Sequence, residues 1–216
     1  MTPHEAENSL VSPAISQFPM QTVPLKLGVM ASGSGSNFEA IAQSISDQKL
    51  NAQIQVLIYN NPDAKAAARA DYWKIPSVLL NHRDFSTREM LDAKLVQTLQ
   101  QYEVDWVIMA GWMRRVTQVL INAFPDQILN IHPSLLPSFP GVRAVEQAIA
   151  AGVKITGCTV HRVQLEVDSG PIIMQVAVPI FPHDTAETLH QRIQVQEHRI
   201  YPMAIAHAAA QYEKNF

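Results

Sequence analysis

Asn130 and His132 stand two residues apart in the segment Asn130 to Gly141, NIHPSLLPSFPG. If that segment is extended, alternate side chains share a face, so the amide and the imidazole point the same way. An amide donor beside an imidazolium is what a developing oxyanion needs. Pro133, Pro137, Pro140 and Gly141 follow and would hold an irregular loop rigidly. The competing reading is a buried, hydrogen-bonded histidine in a structural loop, and the residues alone leave both open.

Asp168 lies in LEVDSGP, Leu165 to Pro171, just before Gly170-Pro171. Capping that turn is the usual role of an aspartate there. The alternative is a carboxylate that orients His132 and keeps it charged.

A third candidate is SGSGSN, Ser32 to Asn37, between a strand-like run and a helix-like one. Glycines let a backbone approach a ligand closely, and the free N–H groups at a helix start favour an anion such as phosphate. It is not the dinucleotide fingerprint, because Phe38 stands where the third glycine would fall and Tyr59, Asn60 and Asn61 close the next strand without an acidic residue. No GKS or GKT follows, so the nucleotide P-loop is excluded too. The bland alternative is a turn with a helix cap.

The remaining histidines carry weaker signals. His190 and His198 share the last helix without metal-ligand spacing, and there is no HExxH, so no metal site is expected. His161 lies in a strand and could face the sheet end. His4, His82, His183 and His207 read as surface residues. Gln194 and Glu197, three apart on one helix face, also read as solvent-exposed by default.

The elements that must position these groups alternate from Lys26 onward. Strand-like runs are 25–31, 54–59, 77–80, 104–110 and 127–131. Helix-like stretches lie between them. These are a segment with Phe38, Ile41, Ala42 and Ile45 at helical spacing, Ala64 to Tyr72, Ser86 to Gln101 with Met90, Leu91, Leu95 and Leu99 inward, and Val116 to Phe124. Ser36 and Glu39 have capping-box spacing. A helix at Ala144 to Ala151 is followed by strands 157–163 and 171–180. A last helix runs from Thr185 to about Tyr201, where Pro202 should break or bend it. This pattern predicts an α/β fold: an open, mostly parallel twisted sheet, helices on both faces, with some antiparallel pairing in the C-terminal part. Ligands of such sheets bind beyond the carboxyl ends of the strands, so the loops after Ala31, Ala110 and Ile131 should carry the chemistry.

Composition sets the outer limits. The chain has 216 residues, 47% of them apolar, with 16 Lys+Arg against 19 Asp+Glu. The resulting charge of −3 gives no broad pull on nucleic acid or anionic membrane. Val107 to Met113 is the longest clean apolar stretch and is far short of a membrane span. Cys158 is the only cysteine, which excludes an intramolecular disulfide and suits a reducing, cytoplasmic compartment. Residues 1–25 hold Pro3, Pro13, Pro19 and Pro24 but no Lys or Arg, and read as a weakly ordered extension before a single domain over 26–216.

ASGSGSNFEAI, MAGWMRRV, LNIHPSLLPSFPG, GCTVHRV, DSGPII and QEHRIYP occur in this order along the chain. Together they resemble the phosphoribosylglycinamide formyltransferase family, the folate-dependent enzymes of purine biosynthesis. The resemblance spans about Lys26 to Tyr212 and implies a Rossmann-like formyltransferase domain. NIHPSLLP alone marks the wider formyltransferase group, and SGSGSN with QEHRIYP points to this member of it.

By that resemblance, Asn130, His132 and Asp168 match the catalytic amide, imidazole and supporting carboxylate. Gly35, Ser36 and Asn37 match the loop that holds the phosphoribosyl group, and Gln194 and Glu197 match positions that contact the glycinamide substrate. Arg88 matches a residue near the folate. Met113, Arg114, Arg115 and Val116 match the lining of the pterin pocket, which Asn130 also approaches. Leu136-Pro137 matches a cis bond. The implied co-substrate is 10-formyltetrahydrofolate, with 5'-phosphoribosylglycinamide as acceptor and no metal. A homodimer stays open. Val145 departs from the pattern, standing where the family commonly has histidine. The rivals are a formyltetrahydrofolate hydrolase, a formyltransferase acting on methionyl-tRNA, and a non-catalytic phosphate-binding module.

Overall fold

The structure, a computed structural model, describes residues 10–14 and 22–213. The apolar runs become strands in the order β1 (Val11–Ser12), β2 (Leu25–Ala31), β3 (Ala52–Tyr59), β4 (Ser77–Leu79), β5 (Trp106–Met109), β6 (Ile128–His132), β7 (Ile155–Arg162) and β8 (Ile172–Pro179). Between and after them lie α1 (Ser36–Ser46), α2 (Ala66–Trp73), α3 (Arg88–Gln101), α4 (Gln118–Ala123), α5 (Ala144–Ala150) and α6 (Ala186–Glu213). The strands form one sheet ordered β1-β8-β7-β6-β5-β2-β3-β4. Strands β2 to β6 pair in parallel, whereas β6–β7, β7–β8 and β1–β8 are antiparallel. The sheet is thus the open, mixed α/β sheet that the alternation predicts.

Two apolar layers explain why β2 reads as a continuous hydrophobic run. Leu27, Val29 and Ala31 pack on the layer with Phe38 and Ile41 of α1 and Leu189, Ile193 and Tyr201 of α6. Met30 packs on the opposite layer with Leu91, Leu95 and Leu99 of α3 and Leu120 of α4. Gly28 belongs to the second layer, since a Cβ there would lie 2.4 Å from Leu99. Each buried Leu or Ile contributes roughly 1.5–3 kcal/mol relative to exposure. Met90, expected inward, is exposed because α3 turns Leu91, Asp92, Leu95, Thr98 and Leu99 to the core instead.

The chain runs β2-β3-β4 to one side, then crosses to β5 on the other side of β2. That switch point sets the ends of β2, β5 and β6 side by side, where ligands of open sheets bind. Two ties hold it. Tyr201, fully buried on α6, holds its hydroxyl 3.1 Å from the carbonyls of both Met109 and Leu129, which share its single proton. Ser32 Oγ accepts from the Met113 N–H at 2.8 Å.

Three expectations need correction. Within the stretch expected to be weakly ordered, Val11 and Ser12 pair with Val176 and Gln175 at the sheet edge, and Leu25 already belongs to β2; residues 1–9 and 15–21 of it, with His4, lie outside the described residues. Helix α6 continues through Pro202 to Glu213. Proline removes one helical N–H, but Tyr201, Ala204, Ile205, Ala208 and Ala209 keep the helix buried on both sides of it. Finally, no capping box forms at α1. Gly35 is the cap residue, in the left-handed conformation with φ 72°, and no side chain caps the helix. Glu39 pairs instead with Arg69, and Ser36 turns to Gln194.

Candidate functional site

Asn130 and His132 stand at the carboxyl end of β6, and β7 runs antiparallel beside them, so Asn130 faces His161 and His132 faces Thr159. Period-two alternation does put both on one face. His132 is buried, its Nε2 2.9 Å from the Phe139 carbonyl and its Nδ1 3.3 Å from Asp168 Oδ2. Both ring nitrogens thus face acceptors, and the doubly protonated ring can donate to each.

Asp168 does more than cap a turn. It sits in the left-handed region with φ 55°, and its side chain is only 8% exposed. Oδ2 also accepts the Gly141 N–H at 2.8 Å, and Oδ1 lies 3.6 Å from His161 Nε2. Burial pushes the Asp168 carboxyl up, but the His161 ring, the Gly141 N–H and the pull of His132 and His161 together hold it below its ordinary value. It is therefore an anion placed between two imidazoles.

His161, given no role by the residue pattern, completes the cluster. Its Nδ1 lies 2.9 Å from the Arg162 carbonyl, so that nitrogen carries the proton. When unprotonated, its Nε2 can accept from Asn130 Nδ2, 3.1 Å away; when protonated, it turns a donor towards Asp168 Oδ1. The first arrangement uses one hydrogen of the Asn130 amide and leaves the other for a ligand. A register shift between Val160 and His161 in the pairing of β7 with β8 accompanies this placement. The available signal was antiparallel pairing, which puts a residue of GCTVHRV opposite Asn130 once the register is known.

The second cluster joins the loop after β2 to α6. Asn37 Nδ2 donates to Glu197 Oε2 at 3.0 Å, and Gln194 Nε2 donates to Ser36 Oγ at 2.9 Å. Glu197 is buried, not exposed, and burial raises its carboxyl above the ordinary value against the Asn37 bond and the pull of His190. Asn37 Oδ1 is buried without a partner among the described residues, an acceptor available to a ligand. Gly35 backs this loop closely, since a Cβ there would lie 2.8 Å from Ala66.

The third group lines a cavity of about 760 Å³ beside the loop that follows β6. Arg88, Arg115 and Val116 face it together with Pro140, Leu165 and Val167. Of the other residues expected there, Met113 is exposed and Arg114 half-buried, and neither borders this cavity. Asp92, buried on α3, accepts the Thr117 N–H and so anchors the segment that follows Val116. Val145 is buried in α5 within the first apolar layer. Among the described residues, no helix is long and apolar enough to cross a membrane.

Residues 25–205 match the family model described as formyl transferase. The chain is 43% identical over 180 residues to a phosphoribosylglycinamide formyltransferase of Bacillus subtilis, covering 83% of this chain and 92% of that protein. It also matches the human trifunctional purine biosynthetic protein adenosine-3 at 38% identity, over 87% of this chain but only 19% of that longer protein. The solved structure of glycinamide ribonucleotide transformylase 1 from Symbiobacterium toebii superposes with a TM-score of 0.86 at 44% identity, covering 88% of this chain and 90% of that one. With a family match over residues 25–205 and relatives that align and superpose over most of its length, the chain belongs to the formyl transferase family.

Proposed function

We propose that this protein transfers a formyl group from 10-formyltetrahydrofolate to the primary amine of 5'-phosphoribosylglycinamide, a step of purine biosynthesis. The observation that carries the reading is the Asn130–His132–Asp168 cluster at the end of β6, with a cavity nearby that is lined by Pro140 and Gly141 of the following loop and by Arg88, Arg115 and Val116. Enzymes of this name are among the relatives of the chain.

The residues fit both substrates. The flat, partly apolar folate suits the surface of Val116, Pro140, Leu165 and Val167, and Arg88 and Arg115 suit its anionic tail. The N-terminus of α1, at Ser36 and Asn37, suits a phosphate, while Glu197 and Gln194 offer polar groups to the sugar and glycinamide part. When bound, the folate supplies an activated formyl carbon.

The chain's own residues then act on charge. The amine attacks the formyl carbon, and negative charge grows on the formyl oxygen. Asn130 offers its second amide hydrogen to that oxygen, and His132 offers positive charge and the Nε2 proton now held against the Phe139 carbonyl. Asp168 stabilises that charge from the Nδ1 side. The proton lost by the amine is delivered to the departing folate nitrogen, so no covalent enzyme intermediate is needed.

The test is a formyl-transfer assay with both substrates, with folate hydrolysis measured in the absence of the amine. Transfer that depends on the phosphorylated amine supports the reading. Release of formate without the amine would make the chain a hydrolase instead.

A further inference from the structure

The proton on His132 Nε2 is held by a carbonyl in the loop that follows β6, so the position of that loop matters to the chemistry. The Ser134–Phe139 stretch belongs to no helix or strand, and its backbone groups need partners from elsewhere. Inside the loop, Ser138 N–H donates to the Leu135 carbonyl at 3.0 Å and Ser134 Oγ to the Ser138 carbonyl. These bonds make it rigid but do not fix it to the sheet.

Two side chains from neighbouring strands do. Thr159, fully buried on β7 directly opposite His132, donates its hydroxyl to the Ser134 carbonyl at 2.7 Å. The same oxygen accepts the Leu136 N–H at 3.1 Å and Gln175 Nε2 at 2.9 Å. One donor and two acceptor positions are all that a hydroxyl has, and every one is used. Gln175, paired with Thr159 on β8, gives its other amide hydrogen to the Leu136 carbonyl at 2.9 Å. Both polar backbone groups of Leu136 and the carbonyl of Ser134 are thereby held by two side chains.

We propose that Thr159 and Gln175 are positioning residues for formyl transfer, holding the Ser134–Phe139 loop so that the Phe139 carbonyl meets His132. Neither touches substrate in this proposal. It rests on the catalytic reading of His132 given above. Thr159→Val keeps the shape and removes the hydroxyl, and Gln175→Met keeps the length and removes both donors. A misplacement of the catalytic group by a fraction of an ångström costs rate rather than binding.

The experiment measures kcat and both KM values for Thr159→Val, Thr159→Ser, Gln175→Met, His132→Ala and the Thr159→Val/His132→Ala pair. Near-ultraviolet circular dichroism reports folding of each. We expect kcat to fall about 10-fold or more in Thr159→Val and Gln175→Met, with both KM values within about twofold. Thr159→Ser should restore kcat to within about twofold, and Thr159→Val should cost under about twofold on top of His132→Ala. Since Gln175 is only half-buried, its variant keeps the test open if Thr159→Val does not fold. Folded Gln175→Met with wild-type kcat overturns the proposal, as does an undiminished loss from Thr159→Val in the His132→Ala background. Full turnover by His132→Ala would overturn the catalytic reading itself, whereas its loss with unimpaired Thr159 and Gln175 variants would overturn the positioning role alone.

Discussion

His132 Nδ1 lies 3.3 Å from Asp168 Oδ2, and the same carboxylate oxygen is pinned by the Gly141 N–H at 2.8 Å. The anion is thus held in place by the backbone of the loop after β6, not by the histidine alone. A group fixed in this way costs little to keep oriented during reaction. Asp168→Asn keeps the shape and removes the charge. We expect turnover to fall roughly 10²-fold with both KM values nearly intact, within the range for a lost general-acid or oxyanion contribution. His132→Ala should cost at least as much, and the double variant little more, because groups acting as a unit are not additive. Strictly additive losses in the cycle would leave Asp168 as a turn residue.

Glu197 carries a pH signature of opposite sign to that of a surface carboxylate. Its folded-state carboxyl is raised above the ordinary value by burial. The folded chain therefore binds this proton more tightly than the unfolded chain, and stability falls as pH rises from the unfolded value towards the folded one. Glu197→Gln removes that loss while its side-chain carbonyl can still accept from Asn37. Urea unfolding should show the variant more stable than wild type at neutral pH and equal to it below the ordinary carboxylate range. Its KM for the phosphorylated substrate should rise about 10-fold, the scale of one hydrogen bond to a charged group. A variant less stable than wild type at neutral pH would contradict this account.

Gly35 is constrained by its own fold as well as by any ligand. Its φ is 72°, and a Cβ would lie 2.8 Å from Ala66 of α2. Gly35→Ala should lower stability by about 1–3 kcal/mol through strain alone, before any effect on phosphate binding. Gly33 has open space where its Cβ would stand. Gly33→Ala should leave stability within about 0.5 kcal/mol of wild type, as for substitutions away from strained or packed positions. Denaturation midpoints of the two variants check the contrast.

Removing residues 1–23 tests the edge strand. Val11 and Ser12 cover part of the free side of β8, next to Gln175. Two paired residues contribute on the order of 1 kcal/mol, so the melting temperature should drop by about 2–4 °C. Turnover should stay within about twofold, since no backbone bond to the loop after β6 is lost. An unchanged melting temperature would mean that β1 adds nothing to the sheet.

Much of this molecule is local in origin. Alternating apolar runs and helical spacing define strands and helices without long-range information, because burial of one face needs only the period of the element. The order of those elements predicts a sheet with a switch point, and hence which loops meet. Asn130 and His132 share a face because they are two apart on a strand, a relation the chain carries in its own geometry. Other relations required the folded chain. Asp168 reads as a turn residue until β7 and the following loop bring its carboxylate against two histidines more than five residues away. Glu197 and Gln194 read as solvated until α6 crosses the start of α1, and only then does Glu197 lose its water. His161, Thr159 and Gln175 acquire their positions through the registers β6–β7 and β7–β8, which depend on pairing between segments far apart in the chain. Pro202 looks like a helix end because local rules count the lost N–H, while the buried contacts on both sides of it keep the helix whole. Residue type and spacing decide which chemistry is available, and tertiary contact decides desolvation, charge and partner, because those depend on groups that sequence neighbours do not supply.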